Sequence, residues 1–513
     1  MTRFNTILHK TVALGVLATL LVSGCAVGPD FKRPAPPDVK TYTDSALPAQ
    51  TAASDTIGGA AQTFVDNKDI PAQWWTLFAS APLNALMEQA LKTNSDLQAA
   101  QAALRVSQET VYAEQGVFFP SVTLNPSVTR EKFSPAVLGD STGSSSIFTL
   151  YNASVNVSYG LDIFGGNRRE VELLQAQADY QKYQLQATYL TLTTNIVTAA
   201  IQEASLRAQI KATQNIIDIE SHELDILKKQ FELGGIAKSI VLTQETAVAQ
   251  AEATLPPLQK QLAQKRTQLS VLAGRFPSEK LEETFDLDSL HLPEELPVSL
   301  PSKLVEQRPD IQSSESVLHA ASAGIGVATA NMLPQVTLTG SYGSEATSFG
   351  NLFSGPAEVW SLGGGLLQPL FRGGTLLHER NAAVAAYDQA AANYRSTVLT
   401  AFQNVADTLR ALQFDADTLK AQLHAERAAS ESLELTNAQF KDGAISYPQL
   451  LNVQQAYQQT HITLVLAQAA RFADTAALFQ ALGGGWQQAG SPEKTIQTST
   501  NTSSDTSLNG GKK

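Results

Sequence analysis

Residues 165–233 open on Gly165-Gly166-Asn167-Arg168-Arg169, close on Gln230-Phe231-Glu232-Leu233, and hold no proline across 69 positions. Residues 373–442, from Gly373-Gly374 to Asp442, do the same across 70. At the α-helical rise such a run reaches roughly 100 Å, whereas an average globular helix has about 11–12 residues. Leu174, Ala178, Leu185, Leu192, Ile196 and Ala199 recur at threes and fours, the spacing of helices packed side by side. The stripe is rich in alanine, which permits close approach, and is broken by Gln and Thr, which suit a face meeting water. Each run stops at a glycine turn, Gly234-Gly235 or Gly443. A shorter return helix is predicted after each, at 239–274 with a possible kink site at Pro256-Pro257, and at 446–482.

Outward from these helices the chain repeats itself. Asp96-Leu97-Gln98 is answered by Asp310-Ile311-Gln312, and Pro120-Ser121-Val122-Thr123-Leu124 by Pro334-Gln335-Val336-Thr337-Leu338. Phe164-Gly165-Gly166 is echoed by Phe371-Arg372-Gly373-Gly374, and Leu272-Ala273-Gly274 by Ala481-Leu482-Gly483. The offset is 214 at the start and 209 from the glycine turn onward. A unit of that length is too long for a solenoid repeat and marks a duplicated half-structure. The repeats are placed at 76–275 and 306–485, with a linker at 276–305 between them.

Each half begins with a proline-free stretch rich in Ala, Leu and Gln, Leu83 to Phe119 in the first, which predicts a helix ended by Pro120. Polar–apolar alternation then predicts strands near 121–130 and 152–163, and near 335–343 and 358–367 in the second copy. Pro120 and Pro334 mark the entry into the strands; Gly165-Gly166 and Gly373-Gly374 mark the exit into the long helices. Each strand has about the length that crosses an outer membrane. Four strands are too few to close a barrel, since the smallest have about 8, and an open sheet in lipid leaves its edges unpaired. Membrane-spanning strands here therefore require several chains sharing one barrel.

The first 24 residues read as a secretory signal: Arg3 and Lys10, then an apolar run from Val12 to Val22 too short to span a bilayer. It ends in Leu21-Val22-Ser23-Gly24-Cys25, a lipobox, and Cys25 is the chain's one cysteine, so lipid attachment is the expectation and an intrachain disulfide is excluded. The stretch 25–75 is rich in Pro, Ala and Thr and reads as an extended tether; 486–513 reads as a disordered tail. The net charge is −12, or −14 without the signal, which argues against nucleic acid as a partner.

Catalytic motifs are weak. Gly139-Asp140-Ser141-Thr142-Gly143 fits a nucleophile elbow by spelling, but sits in a Ser/Gly-rich loop instead of a strand-to-helix turn. Gly324-Ile325-Gly326 sits inside a predicted helix, where its glycines suit close packing better than a dinucleotide. No histidine pair has metal-ligand spacing, and no cofactor is called for.

In order along the chain, the lipobox with Cys25 through Pro29 and Arg33-Pro34, Trp74-Trp75, Arg308-Pro309-Asp310, Leu333-Pro334, Phe371-Arg372-Gly373-Gly374 and the glycine turns followed by Ser239 and Ser446 resemble the TolC-type outer-membrane factors. The likeness is to their lipidated OprM-like, or NodT, branch. It implies a mainly α fold with membrane β: a duplicated helix-strand-strand-long helix-helix unit, and a homotrimer with a shared twelve-stranded β-barrel continued by a periplasmic α-helical barrel. It implies outer-membrane lipid around the barrel, a periplasmic adaptor and an inner-membrane pump of RND type as partners, and drugs or other toxic small molecules as cargo. Adaptor docking then falls at the tip, near Gly234, Gly235, Ser239, Gly443 and Ser446. The acidic gate residue of related channels falls on Asn452 and the basic one of some members on Gln455, so the gate is expected to lack charge. A protein-secretion conduit and a stalk-like surface lipoprotein are the alternatives; the stalk leaves the strand pairs unexplained.

Overall fold

The computed structural model describes residues 26–66, 68, 70–134 and 145–485. Cys25, the signal, the Gly139–Gly143 motif and the C-terminal tail lie outside these residues. The described chain divides into two compact units. One holds Ala103–Lys182 and Ser313–Arg395 with the N-terminal stretch to Pro34, and the other holds Ala35–Ala102, Tyr183–Gln312 and the chain from Ser396.

The first unit is built on a sheet. Strands β2 (Ser121–Phe133) and β3 (Ser146–Leu161) form one antiparallel hairpin, and β5 (Gln335–Ala346) and β6 (Glu358–Leu367) the other. Antiparallel pairing of β3 with β5, from Tyr151 opposite Ala346 to Leu161 opposite Val336, joins them in the order β2-β3-β5-β6. Both repeats thus enter one sheet, and among the described residues β2 and β6 are open edges. Apolar side chains of these edge strands stand in the open: Val122, Leu124 and Val128 of β2, Trp360, Leu362 and Leu366 of β6. Just past β6, Leu370 and Phe371 are 92% and 88% exposed. The strand ends differ from the sequence reading: β2, β3 and β5 run further toward their loops, to Phe133, from Ser146 and to Ala346, and β3 stops at Leu161. The serines around Ser146 suggest a loop, but backbone pairing in the hairpin outweighs their low strand propensity.

The long helices are α3 (Gly166–Glu232) and α7 (Thr375–Lys441), each of 67 residues. The return helices are α4 (Lys238–Leu272), which continues through Pro256-Pro257, and α8 (Tyr447–Ala481). By composition α8 is apolar enough to cross a membrane, but Phe472, Leu478 and Phe479 are fully buried in the protein. The predicted helix 83–119 is broken: α1 spans Ala81–Thr93 and α2 Ser95–Gln115. Asn94 between them is extended (φ −64°, ψ 124°) and its Oδ1 accepts from the Leu97 N–H at 3.0 Å, a capping bond that no interior helical residue makes. Its Nδ2 donates to the Leu272 carbonyl at 3.1 Å, fastening the start of the first repeat to its end. The second copy opens with α5 (Pro301–Gln307) and α6 (Pro309–Ala330).

The segment read as a tether is extended but fastened along its length. β1 (Thr63–Asp66) pairs in parallel with β4 (Glu295–Val298) of the inter-repeat linker. Gln62 is fully buried and donates from Nε2 to Pro293 O and Thr475 Oγ1, both at 3.0 Å. Arg471, fully buried on α8, donates to Leu412 O, Ala60 O and Thr51 Oγ1 at 2.9, 3.1 and 3.2 Å. Trp74 and Phe78 are also fully buried, with Trp74 stacked on Phe479 at 5.3 Å. A segment rich in Pro and Ala offers free backbone carbonyls and small apolar side chains, and here buried Gln and Arg donors supply the partners.

Candidate functional site: the turn end of the helices and the N-terminal dock

Both long helices end in the same way. Gly234 (φ +76°) and Gly443 (φ +71°) are left-handed. Gly235 N–H donates to Gln230 O at 2.8 Å and Ala444 N–H to Gln439 O at 2.9 Å, the six-to-one bond of a glycine-terminated helix. A Cβ on Gly234 or Gly443 meets nothing within 4 Å, so conformation and not space demands glycine there. The return helices start differently. Gln449 Oε1 reaches back to accept from the Ser446 N–H at 2.9 Å and from the Ser446 hydroxyl at 3.0 Å at the start of α8, whereas α4 starts from Ala237 with no side-chain cap, and Ser239 lies inside its first turn. Ser239 and Ser446, five and three residues beyond Gly234 and Gly443, are therefore not equivalent.

The turns meet over one apolar cluster. Leu224, Leu227, Val241, Val248, Tyr447 and Leu450 are buried there. Ile236 and Ile445, from the two turns, and Phe440 pack against it. Phe440 lies edge-on to Tyr447, with ring centroids 5.7 Å apart. Within this apolar setting sits a polar chain. Tyr447 Oη donates to Gln244 Oε1, and Gln244 Nε2 donates to the Glu220 carbonyl at 2.8 Å. Gln458 Nε2 donates to Glu220 Oε1 at 2.7 Å and Gln454 Nε2 to Glu223 Oε2 at 2.8 Å, so α3 and α8 are cross-linked by two amide–carboxyl bonds. Burial pushes the Glu220 and Glu223 carboxyls up, their glutamines hold them down, and the neighbouring Glu220 raises Glu223 further. Burial raises the Tyr447 phenol, with both carboxyls adding to it.

Asn452 and Gln455, one helical turn apart, share the exposed face of α8, opposite the buried Leu450, Leu451 and Gln454. Among the described residues no side-chain hydrogen bond or ion pair reaches either of them. The residues that sequence reading missed are Tyr447, Gln244, Glu220 and Glu223. Their only sequence signal is polarity within an apolar stripe, which Gln-rich helices show throughout.

A second construction lies at the junction of β3 and α3. Asp162 accepts from the Asn167 and Arg168 N–H groups at 2.9 and 3.1 Å, capping α3. Gly165 is left-handed (φ +75°), and a Cβ there would stand 2.5 Å from Ala26. Val27 N–H donates to Phe164 O at 3.0 Å. Buried Arg169 gathers Asp30 at 2.6 Å, Glu172 at 2.7 Å and the Val27 carbonyl at 3.1 Å. The residues directly after Cys25 are thus held where a strand of the sheet turns into the long helix. Gly326, from the motif with Gly324, would place a Cβ 2.7 Å from the Arg169 side chain and 2.9 Å from Val27 O, the close-packing role expected of it. At the second junction Gly373 and Gly374 are also left-handed (φ +59° and +88°), but Thr375, the first residue of α7, donates from Oγ1 back to Arg372 O at 2.8 Å and does not accept from the helix N–H groups as Asp162 does. Pro120 follows the short turn Gly116–Phe118, and Pro334 follows Leu333, whose N–H closes on Ala330 O at 2.9 Å.

No metal-ligating cluster occurs among the described residues. A family model described as outer membrane efflux protein matches residues 86–275 and 300–484. The pyoverdine export outer membrane protein OpmQ of Pseudomonas aeruginosa is 30% identical over 430 residues, 82% of this chain and 89% of that protein. The probable efflux pump outer membrane protein TtgC of Pseudomonas putida is 28% identical over 93% of this chain and 96% of its own. The solved outer-membrane channel OprN superposes with TM-score 0.80 at 25% identity, covering 90% of this chain and all of that one. The Campylobacter jejuni CmeC channel superposes at 0.83 over 92% of this chain and 98% of its own, and at 20% identity shows the fold alone.

Proposed function

Because the chain belongs to the outer membrane efflux protein family, whose model spans both of its repeats, we propose that it works as a passive, trimeric exit duct for toxic small molecules. It is an outer-membrane component of an efflux system. The finer reading is that three copies close one barrel, that the tip meets a periplasmic adaptor and an inner-membrane pump of RND type, and that Cys25 carries lipid. The observation that carries it is the open sheet β2-β3-β5-β6, with two unpaired edges and apolar side chains exposed on both edge strands. Such edges are untenable in lipid unless another copy pairs with them. The lipid reading is supported by Val27 to Asp30 being pinned beside the sheet by Arg169. The duct carries no energy source and no catalysis; the pump supplies the work.

The test is purification in detergent followed by mass measurement and planar-bilayer recording. A trimer with stepwise conductance is expected. A monomer with a stably folded membrane sheet contradicts the shared barrel, and absence of conductance favours a scaffold. Intact mass tests Cys25: a diacyl- or triacyl-modified chain starting there is expected, and a retained Met1 or free thiol excludes it.

A further inference from the structure

Among the described residues, the polar chain at the turn end borders a cavity of about 710 Å³ between α3, α7 and α8. That volume is in the range of small-molecule sites. Its walls are apolar and partly aromatic, with Leu433, Phe440 and Tyr457 among them, and its polar lining includes Glu220, Glu223 and Gln454. Glu220 is 2% exposed and Gln454 6%. Each already makes one bond to its neighbour across the helices, and each keeps a buried oxygen with no partner, Glu220 Oε2 and Gln454 Oε1. The Gln454 amide is not free to turn, because its Nε2 must face the Glu223 carboxylate, which only accepts. The unmet demand is therefore entirely for donors and positive charge. His222 and Lys441 also line the cavity, yet both are exposed and neither forms an ion pair with either carboxyl.

An anion is repelled by two carboxylates. A metal ion is disfavoured because no cluster of His, Cys, Asp and Glu able to hold one occurs among the described residues, and beside the two carboxyls the wall offers neutral amides (Gln230, Asn437, Gln458), hydrocarbon and rings. We propose that the cavity binds amphipathic organic cations, the charged, donor-bearing end held by Glu220, Glu223 and Gln454 and the apolar body lying against Leu433, Phe440 and Tyr457. Aromatic faces add attraction for the cation. A bound cation would also join α3 to α8 and so hold these two helices together.

The probe is ethidium, which carries a delocalised charge, two donor amines and a flat apolar body, and brightens when shielded from water. It is titrated into the full-length protein in detergent, with empty micelles as the blank. Saturable binding is expected. The isosteric pair Glu220→Gln with Glu223→Gln should raise Kd by about tenfold or more. Leu433→Trp, which fills the cavity and leaves its charge intact, should do the same, and it keeps the question open to answer if the double variant fails to fold. The idea is overturned if binding never exceeds the micelle blank, if neutral phenanthridine binds as tightly as ethidium, or if both variants keep the wild-type Kd. Calcium binding in place of ethidium, abolished by the double variant, would overturn it in favour of a metal site. The titration does not involve conductance, so a conducting trimer that ignores ethidium sinks this inference and leaves the duct reading standing.

Discussion

Tyr447, the first residue of α8, donates its phenol hydrogen to Gln244 on α4, and both side chains are buried. The bond ties the two return helices together beside the glycine turns. Its partner has no alternative: Gln244 Nε2 is already committed to the Glu220 carbonyl. Tyr447→Phe keeps the ring in its cluster and strands the Gln244 oxygen, a loss of about 1–3 kcal/mol. If opening separates α8 from α4, that loss falls on the closed state alone. Single-channel open probability should then rise by roughly tenfold per 1.4 kcal/mol. An unchanged open probability with a lowered Tm would make the bond structural only.

That bond joins residues 203 positions apart, which explains why the sequence does not announce it. What is legible in the chain is local. The long helices declare themselves by the absence of proline, and the turns by glycines that only a left-handed backbone requires. The strands appear through alternation, and the exposed Leu362 and Leu366 show why it carries over to an open sheet face. What is illegible is either nonlocal or common. Asn94 breaks the first helix, yet asparagines occur inside helices too, and its cap becomes decisive only because Leu272 O awaits its amide. The N-terminal segment has the composition of a linker, and its pairing of Thr63 with Glu295 has no local cue. Glu220 and Glu223 look like surface residues until α8 closes over them.

The dock beside Cys25 predicts a difference between two glycines of the same conformation. Gly165→Ala forces a left-handed alanine and sets its methyl 2.5 Å from Ala26. Gly373→Ala imposes similar strain, but nothing lies within 4 Å of the new methyl. The second change should cost about 1–2 kcal/mol, the ordinary penalty of that backbone. The first should cost more and free residues 26–33, where Arg33 now pairs with Glu315 at 3.0 Å. Trypsin should then cut after Lys32 several times faster in Gly165→Ala than in Gly373→Ala, Arg33 being shielded by the following Pro34. Equal rates would mean that Arg169, and not the close approach at Gly165, holds the segment.

A pH dependence follows from Asp474 on α8. Burial, with a hydrogen bond and repulsion from Asp415 on α7, pushes its carboxyl from 3.8 up to about 7, against the pull of Arg471. The folded chain therefore keeps this proton longer than the unfolded chain between those values. Stability must fall as pH rises through that window and level off above it, because the native state binds the extra proton. Asp474→Asn removes the titration. Its Tm should match that of the wild type near pH 4, exceed it above pH 7, and show a flatter profile between. A variant profile parallel to the wild type would assign the slope to other groups. The same carboxyl pair lies beside Arg471, which holds Ala60 and Thr51, so the exchange protection of residues 51–62, taken relative to the intrinsic base-catalysed rate, should fall with rising pH in the wild type and stay level in the variant.

The last prediction concerns the gate. Asn452 and Gln455 share the exposed face of α8, while Gln454 on the other face is bound to Glu223. A residue lining a pore in a trimer must be exposed in one chain, and both satisfy that condition. Neither carries charge, so closure there rests on hydrogen bonds and packing, at about 1 kcal/mol for each net bond. Asn452→Asp adds one carboxylate per chain, which a trimer repeats as a ring. Rings of acidic side chains select cations. The measurement is reversal potential in a salt gradient for wild type and variant. A shift toward the cation equilibrium potential is expected, with Gln455→Glu shifting it in the same direction because it lies one turn along the same face. If neither variant moves the potential while conductance persists, this face of α8 does not line the constriction, and the narrowing lies elsewhere along the duct.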